Sequence, residues 1–300
     1  MIDIINHGSL EITPKIGCSV MCEYCPQTLL IKSYTGSKIK KADPKKKPIL
    51  NMEFDSFKKY ISTVPTSIDL HFTGYVEPFL NKDCDKFILY SHNKGHKIMV
   101  NTTLEGFSLE KYEGIKNLPY KQFNIHCPSS TYKENIGVKK PPSFLETGQR
   151  ELREDWLELL IYIFNDPPQN FTLHYHGGLH PQVKELFKYA GVDYKKYTKS
   201  LVTSDRAQNL VDGGDNIIQH SKVPPEKNIR GKCGRVYQPV LIPDGSLGLC
   251  CQDYGLKHVA GNLNTQTWQE YRKSPAFLKI AQEGADLCDY CLRTDDNYSN

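Results

Sequence analysis

The stretch Ile12-Thr13-Pro14-Lys15-Ile16-Gly17-Cys18-Ser19-Val20-Met21-Cys22-Glu23-Tyr24-Cys25 joins a β-like run to one short loop that bears three thiols. Three is an odd number for a structural zinc site, which wants four protein ligands, and the nearest further candidate, His7, lies before the run. A cubane iron–sulfur cluster held by only three cysteines keeps one iron open to another ligand, and thiolates are the expected donors for such clusters. Outward from this loop the chain alternates. Short apolar or β-branched runs lie at Ile12–Ile16, Ile68–Thr73, Lys97–Thr102, Gln122–His126, Phe171–His176 and Ser200–Thr203. Helical patterns lie between them at Glu53–Thr63, Lys82–Lys94, Ser108–Lys116, Arg150–Phe164 and Gln182–Ala190, with the 3.6-residue period clearest in Leu152, Trp156, Leu159, Leu160 and Ile163. Such alternation predicts parallel strands with crossover helices, a βα barrel or an open part of one, with reactive groups at the carboxyl ends of the strands.

The C-x3-C-x2-C spacing, its aromatic Tyr24 just before the last cysteine and its place after the first strand resemble the signature of the radical S-adenosylmethionine superfamily. A second segment carries the same resemblance. His71-Phe-Thr-Gly74-Tyr75-Val-Glu77-Pro78-Phe-Leu-Asn81 is similar to the superfamily's Gly-Gly-Glu-Pro segment, with Gly74 and Tyr75 standing where two glycines are common. The resemblance implies that Cys18, Cys22 and Cys25 hold a [4Fe-4S] cluster and that Glu77 takes the ammonium of S-adenosylmethionine. It further implies that the backbone beside Tyr24 meets the adenine, and that Asn101, Thr102, Thr103, His126 and Ser129 line nucleoside and substrate. The plain alternatives are a strand-end salt bridge for Glu77 and turn or cap roles for the strand-end polar residues.

Cys233, Cys250 and the pair Cys288-Asp-Tyr-Cys291 supply four more thiols. The segment from Cys233 to Cys250 reads as two short strands joined by a Pro243-Asp244-Gly245 turn. The pattern C-x11-G-x4-C with a later C-x2-C resembles the SPASM/twitch extensions of radical enzymes, in a shorter, twitch-like form with one auxiliary cluster; a four-cysteine zinc site is the alternative. The resemblance extends over Cys251-Gln-Asp253 and Ala260–Leu263 and so covers nearly the whole chain. The implied architecture is α/β: a partial (β/α)6 TIM-like barrel over 1–215, then a twitch-like auxiliary iron–sulfur domain over 216–300. Pro224–Arg230 reads as a linker, and Lys38–Pro48, with six lysines and two prolines, as a solvated loop.

The resemblance implies reductive cleavage of S-adenosylmethionine and removal of a substrate hydrogen, with an external electron donor such as flavodoxin or ferredoxin. A four-cysteine auxiliary cluster has no iron free to hold substrate, which points to electron acceptance and a dehydrogenase. Arg206, just after the sixth run, is expected to position an alcohol or phosphate, with relay of a proton to water as its second role. His174 and His176 alternate along the fifth run and share one face. Cys127 ends the fourth run and is the candidate hydrogen donor if the reaction is an epimerisation; Cys84 and Cys251 read as packing and bystander thiols. With the first cluster beginning at residue 18, a small molecule is expected over a peptide, and aminocyclitol dehydrogenation is the nearest analogy within the resemblance. The expected substrate is a carbohydrate-like alcohol, with peptide crosslinking or epimerisation as runner-up and a zinc-bound module as the non-catalytic alternative.

Composition bounds the rest. With 39% hydrophobic and 24% charged residues the composition argues against a disordered or membrane-spanning chain, and a net charge of +4 over 300 residues gives no support to a dedicated nucleic-acid binder. The N-terminus shows no secretory pattern, so a cytoplasmic location with reduced thiols is expected.

Overall fold

The computed structural model describes residues 3–36, 48–139, 147–201, 206–207, 209–210 and 233–291. The expected boundary near residue 215, the 224–230 linker, most of the lysine-rich 38–48 loop, and Asp205 and Gln208 lie outside the described residues.

The described strands form one open sheet in the order β6-β5-β4-β3-β2-β1-β7-β8-β9. Six strands run parallel: β1 (Ser9–Ile12), β2 (Asp69–Phe72), β3 (Ile98–Thr102), β4 (Tyr120–His126), β5 (Phe171–His176) and β6 (Thr198–Leu201). Their crossovers carry α1 (Gln27–Gly36), α2 (Phe54–Ile61), α3 (Cys84–Asn93), α4 (Leu109–Ile115), α5 (Glu154–Asn165) and α6 (Pro181–Tyr189). The architecture is thus the α/β, open-barrel class expected from the alternation.

Three local readings differ from the sequence, the smallest being the sixth strand, which lies at Thr198–Leu201 where Ser200–Thr203 was expected. The first strand lies at Ser9–Ile12 and not at Ile12–Ile16, because Pro14 has no N–H for a ladder; Thr13 makes the last sheet contact, its N–H donating to the Leu241 carbonyl at 2.9 Å. Helix α1, directly after the cysteine loop, was not expected. Its apolar residues Leu29, Leu30 and Ile31 are consecutive and mark no single face, yet Leu30 and Tyr34 are buried one turn apart.

Period-two alternation divides the sheet. Leu10, Ile12, Leu70, Phe72, Val100, Phe123, Ile125 and Leu173 are fully buried against the helices, where Phe57 and Phe87 stack at 4.5 Å. The intervening residues, among them Asn101, Asn124, His126, Thr172, His174 and His176, share the other face. This polar face leads up to the cysteine loop.

The C-terminal segment continues the same sheet. β7 (Val240–Leu241) pairs parallel with β1, and β8 (Ser246–Gly248) and β9 (Val259–Asn262) follow antiparallel. The Pro243-Asp244-Gly245 turn between β7 and β8 forms as expected. Gly245 sits at φ +89°, and a Cβ there would lie 2.8 Å from Asn262 Oδ1. Beyond β9, α7 (Trp268–Lys273) starts with a Thr267/Glu270 capping box and α8 (Pro275–Glu283) with a Ser274 cap. Trp268 Nε1 donates to the Ile5 carbonyl at 2.9 Å, and Arg272, fully buried among Trp268, Phe277 and Tyr237, donates to the His7 carbonyl. No helix among the described residues is long and apolar enough to cross a membrane.

Candidate active site at the carboxyl end of the sheet

The loop between β1 and α1 carries Cys18, Cys22 and Cys25, each partly exposed and close enough for the sulfurs to sense one another's charge. Burial pushes the Cys18 thiol up to about 12 and the Cys22 thiol well above its ordinary value, with the neighbouring sulfurs adding to both. Bringing three sulfurs together costs free energy unless a positive centre compensates them. The third sulfur is solvated by the protein: Gln27 Nε2 donates to Cys25 Sγ at 3.4 Å, and Tyr254 Oη lies 3.4 Å from it. This all-sulfur donor set fits a thiolate-bound iron–sulfur cluster. Among the described residues, no three His, Cys, Asp or Glu side chains gather as ligands of a single ion.

Tyr24 is fixed at both ends. Its carbonyl accepts from Arg206 Nε at 3.4 Å, and its hydroxyl donates to Glu134 and lies 3.1 Å from His126 Nε2. The His176 ring packs 4.2 Å from the Tyr24 ring. Glu134, which no sequence pattern singled out, is 1% exposed on the loop after β4; it accepts the Ser129 N–H at 2.5 Å, and burial raises its carboxyl to about 7. The Ser129 hydroxyl caps the same loop by accepting from the Thr131 and Tyr132 N–H groups. No local pattern could have signalled Glu134, because its contact with Tyr24 spans 110 residues.

Gly74 stands at φ +77°, and a Cβ there would meet Thr13 Oγ1 at 2.1 Å, so the turn after β2 requires glycine. The next N–H, of Tyr75, donates to that same Thr13 hydroxyl at 3.0 Å. The Tyr75 side chain turns toward the C-terminal segment, its hydroxyl donating to the Cys250 carbonyl at 2.7 Å and lying 3.2 Å from the Asp253 carbonyl. Glu77 is buried and accepts four hydrogen bonds, from Phe79 N, Thr102 Oγ1, Thr103 N and Thr103 Oγ1. Burial raises its carboxyl to about 7 against the pull of these donors. Thr102 and Thr103 at the end of β3 therefore hold Glu77.

On the polar face of the sheet a side-chain chain runs across three strands. Asn124 Nδ2 donates to Asn101 Oδ1 at 2.5 Å, Thr172 donates to Asn124, and His174 Nε2 lies 3.3 Å from the Thr172 hydroxyl. The register pairs Asn101 with Asn124, Asn124 with Thr172 and His126 with His174. Burial, then the charge of Lys199, lowers the His174 imidazole to about 4, and burial with the neighbouring His176, His174 and Arg206 holds His126 well below its usual range. Cys127, one residue past β4, is fully buried in the apolar core, as is Cys84.

The chain after β6 closes on this site. Arg206 and Ala207 both adopt left-handed backbone at φ +53°, a strained conformation for residues with side chains. Burial works against the Arg206 charge, but the Tyr254 phenol and the sulfurs of Cys25 and Cys251 keep the guanidinium protonated. Asn209 Nδ2 donates to the Gln252 carbonyl at 2.7 Å. Cys250 is buried, its thiol raised by burial and by nearby Cys251 and Cys291, and it shares an apolar cluster with Cys288. Cys233 opens a short 3-10 turn, Gly234–Tyr237.

No family model matches the chain, and no curated protein matches it in sequence. Solved structures do. The crystal structure of BtrN in complex with AdoMet and 2-DOIA aligns with a TM-score of 0.54 at 17% identity, covering 95% of this chain and 92% of that one. Hexahistidine-tagged anSMEcpe with bound AdoMet aligns with a TM-score of 0.53 at 15% identity over 95% and 84%, and native anSMEcpe with bound AdoMet and the Cp18Cys peptide with 0.51 at 14% over 95% and 86%. At these identities the likeness is one of fold. The open α/β barrel expected from the sequence is the fold these structures share with the chain.

Proposed function

We propose that the chain is a radical S-adenosylmethionine enzyme that oxidises an alcohol of a carbohydrate-like small molecule. The observation that carries this reading is the three-thiol loop directly after β1, with its third sulfur met by Tyr254 of the C-terminal segment. Cys18, Cys22 and Cys25 would hold one [4Fe-4S] cluster, and Cys233, Cys250, Cys288 and Cys291 a second, with 1–215 as the barrel unit and 216–300 as the auxiliary unit. When bound, the two clusters supply an electron for cleavage of S-adenosylmethionine to methionine and a 5′-deoxyadenosyl radical, and an acceptor for the electron left on the substrate once its hydrogen atom is taken.

The chain's own residues bind, orient and guide the proton to water. Glu77, with Gly74 beside it, would receive the ammonium of S-adenosylmethionine, and the backbone at Tyr24 the adenine. Asn101, His126 and Ser129 would line nucleoside and substrate, while Arg206 positions the alcohol oxygen. His174 and His176 share the polar face with His126, and burial disfavours the imidazolium of His174 and His126, so the hydroxyl proton released as the C–OH carbon becomes a carbonyl would pass to water beside Arg206. The alignment with the BtrN complex, which covers nearly the full length of both chains, supports a small-molecule substrate. A peptide substrate is the second reading, favoured by the alignment with the anSMEcpe complex with its Cp18Cys peptide.

Anaerobic reconstitution with iron and sulfide counting tests the reading. About eight iron and eight sulfide per chain, with 5′-deoxyadenosine formed under reducing conditions, are expected. A colourless zinc protein that leaves S-adenosylmethionine intact would overturn it.

A further inference from the structure

On the β1–α1 loop, the sulfur of Cys25 is met by two side chains that can donate hydrogen bonds to it. One is Gln27, two residues on at the start of α1, whose Nε2 lies 3.4 Å from the sulfur and also donates to the Tyr75 carbonyl. The other is Tyr254, brought from the far end of the chain, with Oη at 3.4 Å. Both partners are 3% exposed, and Tyr254 belongs to an apolar cluster with Leu30, Tyr34, Tyr75, Val240 and Ile242. The Tyr254 ring packs 4.8 Å from that of Tyr75, whose hydroxyl holds the Cys250 carbonyl. Tyr254 is therefore fixed in place by the C-terminal segment.

A cysteine that ligates iron has lost its proton, so in that state the hydrogen between Cys25 and Tyr254 belongs to the phenol. Two donors then point at one sulfur in a low-dielectric setting, where each stabilises negative charge more than it would in water. Adding an electron to an iron–sulfur cluster adds negative charge that its sulfurs share, and hydrogen bonds to those sulfurs favour the reduced form.

We propose that Tyr254 and Gln27 are positioning residues that raise the reduction potential of the centre held by Cys18, Cys22 and Cys25, by donating hydrogen bonds to the Cys25 sulfur. The inference rests on the function proposed above. It makes the C-terminal segment a partner of the first cluster as well as the carrier of the second set of cysteines.

The test is a redox titration of the reconstituted full-length protein followed by electron paramagnetic resonance. The first cluster's signal is the one missing from the Cys18→Ala, Cys22→Ala, Cys25→Ala triple variant. Tyr254→Phe keeps the ring and removes the donor. It is expected to lower the reduced-to-oxidised ratio of the first cluster about tenfold at a fixed potential, a shift of about 59 mV for a one-electron couple, with iron content unchanged. Gln27→Leu is expected to shift the midpoint in the same direction, and the second cluster's midpoint stays in place in both. Full iron content with an unmoved first-cluster midpoint in both variants overturns this inference and leaves the proposed function standing. If Tyr254→Phe loses the first cluster's iron, Gln27→Leu decides. A wild-type chain that takes up no cluster at Cys18, Cys22 and Cys25 overturns both readings together.

Discussion

Glu77 shows how much a single carboxylate is asked to do. Its two oxygens accept from two backbone N–H groups and two threonine hydroxyls, which occupies the roughly four lone-pair positions a carboxylate offers. An incoming ammonium has to share these oxygens or displace a threonine hydroxyl. Glu77→Ala would orphan four donors and confound folding with binding. Glu77→Gln keeps one carbonyl oxygen for Phe79 and Thr102 and removes the charge. We expect it to retain its iron and to weaken S-adenosylmethionine binding by about 1.5–3 kcal/mol, measured by isothermal titration under anaerobic conditions. Unchanged affinity would place the turn at Gly74–Pro78 outside the cosubstrate site. The cysteines themselves allow a cleaner separation. The Cys18→Ala, Cys22→Ala, Cys25→Ala triple variant is expected to lose one cubane and all 5′-deoxyadenosine while the second cluster remains, and continued cleavage of S-adenosylmethionine by it would remove the assignment of the loop.

At the scale of elements, β5 carries a pH dependence that can be worked out from burial. His174 ordinarily titrates at 6.5 and in the fold at about 4, because burial and the nearby Lys199 disfavour the imidazolium. Between these values the unfolded chain binds a proton that the folded chain refuses, so stability contributed by the neutral ring is present above pH 6.5 and is lost as pH falls toward 4. His174→Gln is expected to flatten that part of the pH–stability curve, read from urea midpoints at about pH 7 and about pH 5; equal slopes in variant and wild type would contradict the burial argument. The strand that holds His174 was legible in the sequence, as were β2 to β4 and the helices α2 to α6, because each has a period and a boundary signal of its own. The cysteine loop was legible because its spacing is local. What stayed hidden is contact at long range: Glu134 reaches Tyr24 over 110 residues, and Tyr254 reaches Cys25 over 229. The placement of β1 failed for a local reason, since the apolar run continued across a proline that ends the ladder.

At the scale of the whole molecule, the sheet does not stop where the βα alternation stops. β7 adds to the free edge of β1, so the segment bearing Cys250 is hydrogen-bonded to the strand that leads into Cys18. One continuous sheet thus ties the segment bearing Cys250 to the strand that leads into Cys18, an arrangement that would suit the proposed passage of an electron from substrate toward the C-terminal segment. An epimerase has a different need, a thiol that returns a hydrogen atom to the substrate radical. Cys127 is the cysteine at the end of β4, but alternation along that strand sets it with Phe123 and Ile125, while Asn124 and His126 occupy the polar face. It is 0% exposed in the apolar core, its N–H donates to the His174 carbonyl at 2.8 Å, and burial raises its thiol far above the ordinary value. A thiol fully buried in the apolar core is closed to a substrate radical unless the end of the strand is disrupted. Cys127→Ala should therefore cost about 1 kcal/mol of stability from the small cavity it leaves, seen as a lowered denaturant midpoint. Turnover and product should be unchanged, and no solvent deuterium should appear at the abstracted carbon in the wild type. A variant that stalls after hydrogen abstraction, together with solvent deuterium in the wild-type product, would make Cys127 the hydrogen donor and the reaction an epimerisation.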